Sequence, residues 1–374
     1  MQGRETMDKD ILVTKSSMPP YDEYIEAIKP LWESHWITNM GKYHQELEKK
    51  IKEYLDVPYI SLMVNGHMAL ELAIQSFDFP KGAEVITTPF TFISTTHAIT
   101  RNGLIPVFCD VKRADGTIDE MMIENLITEK TVAIVPVHVY GNICNIDAIQ
   151  EIANKHNLKV IYDAAHAFGE KYKGVGIGNF GDASCFSFHA TKVFNTIEGG
   201  AVTFKDKEMY RRLYNLKNFG IRSEEIVESV GANAKMNEFC AIMGLCNIKY
   251  IDDEIDKRHK VYRWYVEGLR NIRGIEIFNL ESSNQLKNYS YFPILVNEDY
   301  YLSRNELYEK LKNNKIYSRK YFYPIASEQE CYAEKKNIVQ VKVARMLSEK
   351  VLTLPFYPDI ERSVIESICQ MIQE

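Results

Sequence analysis

Three short segments carry side chains whose types and spacing could bind and activate a phosphorylated ligand. The first, residues 64–70, follows the apolar run 59–63 and reads Val-Asn-Gly-His-Met-Ala-Leu. A small residue such as Gly66 lets the backbone N–H groups at the start of a helix approach an anion, which the helix dipole also attracts. An ordinary strand-to-helix turn with Gly66 at positive φ explains the same residues equally well.

The second segment places an acidic residue directly after a buried apolar run. Asp163 follows the run 159–162 and precedes Ala-Ala-His at 164–166. A carboxylate at the end of a buried parallel strand needs a cationic or hydrogen-bonding partner. A protonated pyridine nitrogen is one such partner, and the N-cap of a following helix is the alternative role.

The third segment contains a lysine a few residues after the strand pattern 183–188. Lys192 lies in a stretch with little charge before Glu198, and Ser187 and Thr191 add hydroxyl groups that a phosphate could use. Desolvation favours the neutral amine of a lysine, which is then a nucleophile. Taken alone, however, a lysine at such a position is more often a solvated surface residue.

The combination of these three segments is more specific than any one of them. Gly66, Asp163 and Lys192 follow successive predicted strands in that order along the chain. A pyridoxal phosphate site requires a phosphate cradle, a partner for the pyridinium nitrogen and a lysine that forms a Schiff base. The three segments therefore predict a pyridoxal phosphate site.

One glycine-rich segment resembles a different cofactor site and is rejected. Residues 176–181 read Gly-Ile-Gly-Asn-Phe-Gly, which fits the dinucleotide pattern G-x-G-x-x-G. That pattern should follow a strand and begin a helix, with an acidic residue about 20 positions later. Here it leads directly into the strand pattern 183–188, so a turn between two strands is the better interpretation.

Apolar runs alternate with helix-period segments through the first 220 residues. This alternation predicts a mainly parallel sheet with helices on both faces, which places ligands at the carboxyl ends of its strands. The predicted strands are 59–63, 84–87, 105–108, 132–135, 159–162 and 183–188, and the predicted helices between them begin near 68, 93, 121 and 146.

The two ends of the chain differ from this pattern. Residues 21–55 predict two amphipathic helices, and 236–269 predict one long helix that leads into a smaller α+β region. We expect a large domain at 1–245 and a small domain at 246–374. Within the latter, strands are predicted at 275–278 and 291–296, and helices at 303–312, 338–350 and 360–373.

Composition excludes several classes of protein. The 374 residues are 45% hydrophobic and 26% charged, with a net charge of −6, which fits a globular enzyme and gives no basic surface for nucleic acid. No apolar run is long enough for a membrane helix, and the first 20 residues contain no signal-peptide core. Seven scattered cysteines without a C-x-x-C pair favour reduced thiols in the cytoplasm and no metal site.

The chain resembles the DegT/DnrJ/StrS family of pyridoxal-phosphate sugar aminotransferases. The resemblance implies fold type I, an α/β architecture with a large, mainly parallel seven-stranded sheet domain and a smaller C-terminal α+β domain. It extends over about residues 11–360 and rests on the segments 65–70, 88–92, 136–141, 163–166, 187–192, 198–200 and 231–236.

The resemblance also implies a role for each matching residue. Lys192 would form the Schiff base and move the proton, Asp163 would pair with the pyridine nitrogen, and Phe92 would stack on the ring. The phosphate would be held by Gly66, His67 and Ser187, and by Asn233 from a second subunit, which implies a homodimer with shared active sites. His166 occupies the position where the family often has Gln, and its contact with the ring hydroxyl is left open.

The resemblance implies a nucleotide-linked ketosugar as substrate and L-glutamate as amino donor. The segments 13–20, 36–41 and 321–324 are most similar to members that form a dTDP-linked 4-amino-4,6-dideoxyglucose, a deoxyaminosugar of lipopolysaccharide O-antigens. Arg319, Lys320 and Tyr321 are candidates for contacting the substrate, although the two cations could equally be a solvated pair. Amination at C3, a UDP-linked substrate, a lyase or a catalytically silent relative remain open.

Overall fold

The N-terminal segment contains three helices where the sequence predicted two. The structure is a computed structural model that describes residues 9–278, 281, 284–333 and 340–374. Pro30 has no N–H group with which to continue the first helix, so a separate short helix follows it. The elements are β1 (Ile11–Leu12), α1 (Tyr21–Ile28), α2 (Leu31–Ser34) and α3 (Lys42–Leu55).

Strands and helices then alternate from residue 59 to residue 163 as the apolar pattern predicted, whereas the next four strands follow one another with no α-helix between them. The elements are β2 (Tyr59–Met63), α4 (Gly66–Gln75), β3 (Glu84–Thr87), α5 (Ile93–Arg101), β4 (Ile105–Phe108), α6 (Glu120–Ile123), β5 (Thr131–Val135), α7 (Ile146–His156), β6 (Lys159–Asp163), β7 (Lys171–Tyr172), β8 (Val175–Gly176), β9 (Ala183–Ser187), β10 (Gly200–Phe204) and α8 (Lys207–Leu216). The glycine-rich segment 176–181 runs from the last residue of β8 through a short 3-10 helix toward β9, so it is a turn between strands, as expected.

Seven of these strands form one sheet in the order β2-β10-β9-β6-β5-β3-β4. All neighbouring pairs are parallel except those of β10, which is antiparallel to both β2 and β9. The prediction of a mainly parallel seven-stranded sheet is therefore confirmed. Strand β10 was not predicted. It begins at Gly200, directly after Gly199, and glycine has low strand propensity.

Alternate residues of the sheet strands pack into two different cores. On one face lie Leu62, Ile86 and Ile134, and on the other face lie Met63 and Val85. This period of two is the side-chain periodicity of a strand, and both faces are apolar because helices cover both. The sheet is thus buried on both sides, and only its strand ends are open to ligands.

The C-terminal part contains helices around a small antiparallel sheet. The predicted long helix is divided into two by the one-turn 3-10 segment 248–250. The elements are β11 (Ile221–Ser223), β12 (Ile226–Val227), α9 (Glu238–Asn247), α10 (Ile251–Leu269), β13 (Ile275–Ile277), β14 (Gln285–Leu286), β15 (Phe292–Val296), α11 (Arg304–Asn313), β16 (Ile316–Tyr317), α12 (Glu330–Ala333), α13 (Lys342–Lys350), β17 (Val351–Leu354) and α14 (Arg362–Gln373).

The small sheet has the order β13-β15-β17 and packs with α10 and α14 into a separate core. The predicted domain boundary after residue 245 falls within α9 and stays a prediction. The predicted helix 338–350 begins at Lys342 in the structure, and its residues 338 and 339 lie outside the described part. None of the described helices is long and apolar enough to cross a membrane.

Candidate active site

A cavity of about 350 Å³ lies at the carboxyl ends of β2, β6 and β9. Segments from both ends of the chain line it, including Tyr291 and Phe322 from the C-terminal part. Most of the residues that the sequence singled out as site residues lie on its walls: Gly66, His67, Phe92, Asp163, His166, Ser187, Lys192 and Tyr321.

The first wall is the N-terminus of α4. Gly66 is the first residue of this helix, and the preceding Asn65 caps it by accepting a 2.8 Å hydrogen bond from the N–H of Met68. A Cβ on Gly66 would lie 2.6 Å from the Cβ of Ser187, so close approach to β9, rather than a positive φ, requires glycine here. The first N–H groups of a helix have no acceptor within it, and this turn therefore fits a phosphate.

The side chain of His67 is bound to other residues. Its Nδ1 lies 2.8 Å from Oγ of Ser94, and its Nε2 lies 3.2 Å from a carboxylate oxygen of Glu71, which also accepts from Arg101. The His67 ring and then the Arg101 guanidinium hold the pKa of Glu71 below its ordinary value. His67 can thus contribute its backbone N–H to the cradle, while its imidazole connects α4 to α5.

Asp163 ends β6 with its carboxylate facing the cavity. One oxygen accepts a 2.7 Å hydrogen bond from the hydroxyl of Thr95, and the other accepts from the N–H of Ala165 at 3.1 Å. Burial raises the pKa of Asp163, while these two bonds and the Lys192 ammonium oppose that rise. No helix follows at residues 164–170, so the alternative role as an N-cap does not apply, and a buried carboxylate fits a cationic ring nitrogen.

His166 is a buried, neutral imidazole. Its Nδ1 accepts a 3.0 Å hydrogen bond from the N–H of Tyr140, so the ring proton is on Nε2. Burial lowers the pKa of His166 well below its ordinary value, and the nearby Lys192 ammonium lowers it further. His166 therefore offers one fixed N–H donor beside Asp163, which fits the oxygen of a hydroxyl on a bound ring.

Lys192 follows β9 in the loop that returns to β10, and its side chain points into the cavity. Its Nζ donates a 3.2 Å hydrogen bond to the hydroxyl of Tyr291. Phe92, the residue before α5, lines the same cavity. It is 59% exposed, so its ring has a face open to a planar ligand. A nucleophilic amine, a carboxylate and an aromatic ring thus surround one space.

Three of the predicted site residues are not among the described residues that line this cavity. Asn233 is exposed and pairs with Asn218 through a single backbone bridge. Arg319 is exposed, and its backbone pairs with Thr353. The Nζ of Lys320 donates to Asn305 at 2.7 Å and lies 4.4 Å from the centroid of the Tyr308 ring.

Several residues of the site were missed by the sequence reasoning. Thr95 and Tyr140 lie within segments that were noted only for other residues, and Tyr291 was considered only as the start of a strand. A threonine one helical turn after the ring-stacking Phe92 was a usable signal for Thr95, because residues three apart share a helix face. Nothing in the local sequence indicates that Tyr291 reaches Lys192.

The residues present fit pyridoxal phosphate. The close-packed turn at Gly66 fits its phosphate, the buried Asp163 fits its ring nitrogen, and the amine of Lys192 fits its aldehyde. A mainly parallel sheet that holds these three groups at its strand ends defines a pyridoxal-phosphate enzyme of fold type I.

The sequence comparisons agree with this class. The chain belongs to the DegT/DnrJ/EryC1/StrS aminotransferase family, whose model matches residues 21–373. It is 44% identical over 368 residues to dTDP-4-amino-4,6-dideoxy-D-glucose transaminase from Shigella dysenteriae, covering 98% of this chain and 100% of that protein. It is 41% identical over 370 residues to the protein of the same name from Escherichia coli, covering 98% of each.

The structural comparison gives the same result. A crystal structure of DesI in the presence of its TDP-sugar product has a TM-score of 0.93 and 30% sequence identity. The alignment covers 98% of this chain and 93% of DesI. The chain is therefore a pyridoxal-phosphate-dependent aminotransferase of fold type I, as the resemblance implied.

Proposed function

We propose that this aminotransferase adds an amino group at C4 of dTDP-4-keto-6-deoxyglucose and forms dTDP-4-amino-4,6-dideoxyglucose. The two relatives at 41–44% identity carry that product in their names and align over nearly the whole chain. The observation that carries the catalytic part is the position of Asp163 and Lys192, a buried carboxylate and an amine on the walls of one cavity.

Each site residue has a specific task in this proposal. The cofactor, when bound, supplies an electron sink for the carbon atom that exchanges its proton. Lys192 attaches the cofactor and moves that proton, and Asp163 holds a proton on the ring nitrogen. The N–H groups of Gly66 and His67 and the hydroxyl of Ser187 bind the phosphate.

Two further residues orient the ring in this proposal. His166 donates its Nε2–H to the ring hydroxyl, since its Nδ1 is occupied by the N–H of Tyr140. Phe92 covers one ring face, which its exposed side chain permits. The substrate diphosphate would meet Tyr321 at the cavity and the exposed Arg319 near it in sequence, whereas Lys320 is held by Asn305.

We also infer a homodimer that uses L-glutamate as its amino donor. Asn233 is exposed on its own subunit, and the segment around it exposes Phe219, Val227 and Val230. Such apolar groups favour burial against a second copy, where Asn233 would reach the phosphate of the neighbouring site. We further infer a cytoplasmic location, because all seven cysteines are free thiols.

Mass spectrometry of the reaction products tests the substrate. The purified protein is incubated with pyridoxal phosphate, L-glutamate and each of several nucleotide-linked ketosugars. We expect the dTDP-linked 4-keto-6-deoxy sugar to give an aminosugar, and NMR of the product to place the nitrogen on C4. Amination at C3, or turnover of only UDP-linked sugars, would replace the proposed substrate.

The Lys192→Ala variant tests the catalytic part separately. We expect wild-type protein to develop a visible absorption band with pyridoxal phosphate and the variant to develop none. Lys320→Ala is a matched control, because the amine of Lys320 binds Asn305 and does not line the cavity. We expect this variant to keep the band. A wild-type protein that binds the cofactor but forms no aminosugar from any ketosugar would indicate a lyase or a silent relative.

A further inference from the structure

The hydroxyl of Tyr291 contacts the amine of Lys192, although the two residues are 99 positions apart. Nζ donates a hydrogen bond of 3.2 Å to this hydroxyl, and it lies 5.6 Å from the centroid of the ring. The contact is therefore made through the hydroxyl at the ring edge. We propose that Tyr291 is a positioning residue that orients the Lys192 amine for proton transfer.

The ring of Tyr291 has a fixed place in the site. It is only 6% exposed and makes steep edge contacts with three other rings, at centroid distances of 4.8 Å to His166, 6.1 Å to Tyr140 and 6.0 Å to Tyr321. Rings packed in this way have few alternative rotamers. The hydroxyl is therefore presented to Lys192 at a defined position.

The segment before Tyr291 is bound to the loop that follows Asp163. The side-chain N–H groups of Asn288 donate to the carbonyls of His166 at 2.9 Å and Phe168 at 3.0 Å. The hydroxyl of Ser290 donates to the same His166 carbonyl at 2.6 Å. These bonds hold the segment of Tyr291 against the loop at His166 and set the position of Tyr291 relative to His166.

A phenol can hold an amine before and after it gains a proton. Its oxygen accepts a hydrogen bond from an ammonium group, and its O–H donates to the lone pair of a neutral amine. Other ionisable groups line the same cavity, including His67, Asp163, His166, His189, Glu198 and Tyr321. Tyr291 is distinguished from these by its direct hydrogen bond to Nζ, which keeps the amine in place through proton transfer.

The Tyr291→Phe variant removes the hydroxyl while keeping the ring contacts. We expect kcat to fall about 3- to 10-fold with KM unchanged, which is the effect of one lost hydrogen bond. The isotope effect with an amino donor deuterated at Cα should rise, because proton transfer becomes more rate-limiting. Tyr289→Phe is the matched control, since its hydroxyl binds Glu281 at 2.6 Å, and it should change neither quantity.

A second measurement uses the protein without its cofactor. Acetic anhydride labels lysine amines, and peptide mass spectrometry gives the rate for Lys192 relative to the other lysines. We expect Lys192 to be labelled about 2- to 3-fold faster in Tyr291→Phe than in wild type, because the Lys192 amine has lost a hydrogen-bond partner. An unchanged isotope effect together with an unchanged labelling rate would overturn the proposal.

If Tyr291→Phe does not fold, Ser290→Ala provides the test. It keeps the phenol and removes one of the bonds that place it, so a smaller increase in both quantities is expected. The proposal rests on Lys192 being the lysine that attaches the cofactor. A visible band retained in Lys192→Ala would overturn that assignment. A band lost in Lys192→Ala, together with an isotope effect and a labelling rate that Tyr291→Phe leaves unchanged, would overturn only the role of Tyr291.

Discussion

Thr95 donates a 2.7 Å hydrogen bond from its hydroxyl to Oδ2 of Asp163, which joins helix α5 to the end of strand β6. The N–H of Ala165 donates to the second carboxylate oxygen. Both bonds favour the charged form of a group whose pKa burial raises. The site thus holds a buried carboxylate in a fixed orientation, ready for a cationic partner.

The Asp163→Asn variant should stabilise the cofactor-free protein and weaken cofactor binding. Because burial raises the pKa of Asp163 in the folded state, its contribution to stability is complete below its unfolded pKa and is lost as pH rises through the folded pKa. An uncharged Asn avoids this loss, and we expect the variant to be more stable than wild type at pH 7.5 and to lose that advantage toward pH 4. Thermal unfolding with and without pyridoxal phosphate measures the stability of the cofactor-free protein and the strength of cofactor binding. A variant that binds the cofactor as tightly as wild type would contradict the pairing of Asp163 with the ring nitrogen.

The Thr95→Val variant tests the hydrogen bond itself. Valine has nearly the shape of threonine but no hydroxyl, so the carboxylate of Asp163 loses one donor and its pKa rises further. We expect the dissociation constant for pyridoxal phosphate to increase about 3- to 10-fold, measured by titration of the visible band.

Thr96→Val is the control for this change. The buried hydroxyl of Thr96 has no hydrogen-bond partner among the described residues, so its removal should leave cofactor affinity unchanged and raise stability by about 1 kcal/mol. Equal losses of cofactor affinity in both variants would mean that packing in α5, and not the bond to Asp163, controls binding.

Local sequence was sufficient to predict six of the seven strands of the large sheet, all but β10, and the groups at the ends of β2, β6 and β9. Gly66, Asp163 and Lys192 each follow an apolar run closely, so predicting the strands also predicted where these residues lie. The two cores on either face of the sheet follow from the same apolar runs. These features depend on residues that are close in sequence.

Contacts between distant segments could not be predicted in this way. Tyr291 reaches Lys192 only because bonds from Asn288 and Ser290 hold its segment against the loop at His166. Lys320 was considered for the substrate because of its charge, yet the structure binds its amine to Asn305. Which of several nearby cations faces a cavity is decided by tertiary packing, and no periodic pattern records that choice.

The Asp110→Ala variant should destabilise the contact between the two parts of the chain. Asp110 is buried, and its carboxylate accepts hydrogen bonds of 2.9 and 2.8 Å from the N–H groups of Val343 and Ala344 at the start of α13. It thus caps a helix more than 230 residues away, and we expect a loss of about 2 kcal/mol in the free energy of unfolding by urea. Asp206→Ala removes an exposed cap of α8 and should cost only about 0.5–1 kcal/mol; equal losses would contradict a special role for the distant cap.

Mixing two impaired variants tests whether active sites are shared between subunits. If Asn233 completes the neighbouring site, a dimer of one Lys192→Ala subunit and one Asn233→Ala subunit has one site with both substitutions and one intact site. Random pairing after co-refolding should then restore about a quarter of wild-type activity. Assays at limiting pyridoxal phosphate keep the residual activity of the Asn233→Ala dimer low. If the mixture is no more active than the sum of the two separate variants, Asn233 lies outside the neighbouring site.

The Glu170→Gln variant should change how stability depends on pH. Glu170 is buried, and one carboxylate oxygen accepts a 3.1 Å hydrogen bond from the N–H of Asn288, in the segment that leads to Tyr291. Burial raises the pKa of Glu170 to about 8, although the N–H of Asn288 and the Lys287 ammonium oppose this.

A raised carboxyl pKa means that stability is lost as pH rises from the unfolded pKa of about 4.3 toward the folded value. We therefore expect wild-type stability to fall by up to about 1.4 kcal/mol per pH unit from this group, and Glu170→Gln to remove that slope. Urea unfolding between pH 5 and pH 8 measures both, with the exposed Glu281→Gln as a control that should keep the wild-type slope. Gln is the chosen substitution because it resembles the protonated carboxyl in shape and still accepts from Asn288. A slope of stability against pH that is the same in Glu170→Gln as in wild type would show that Glu170 is already ionised below pH 5, stabilised by Lys287.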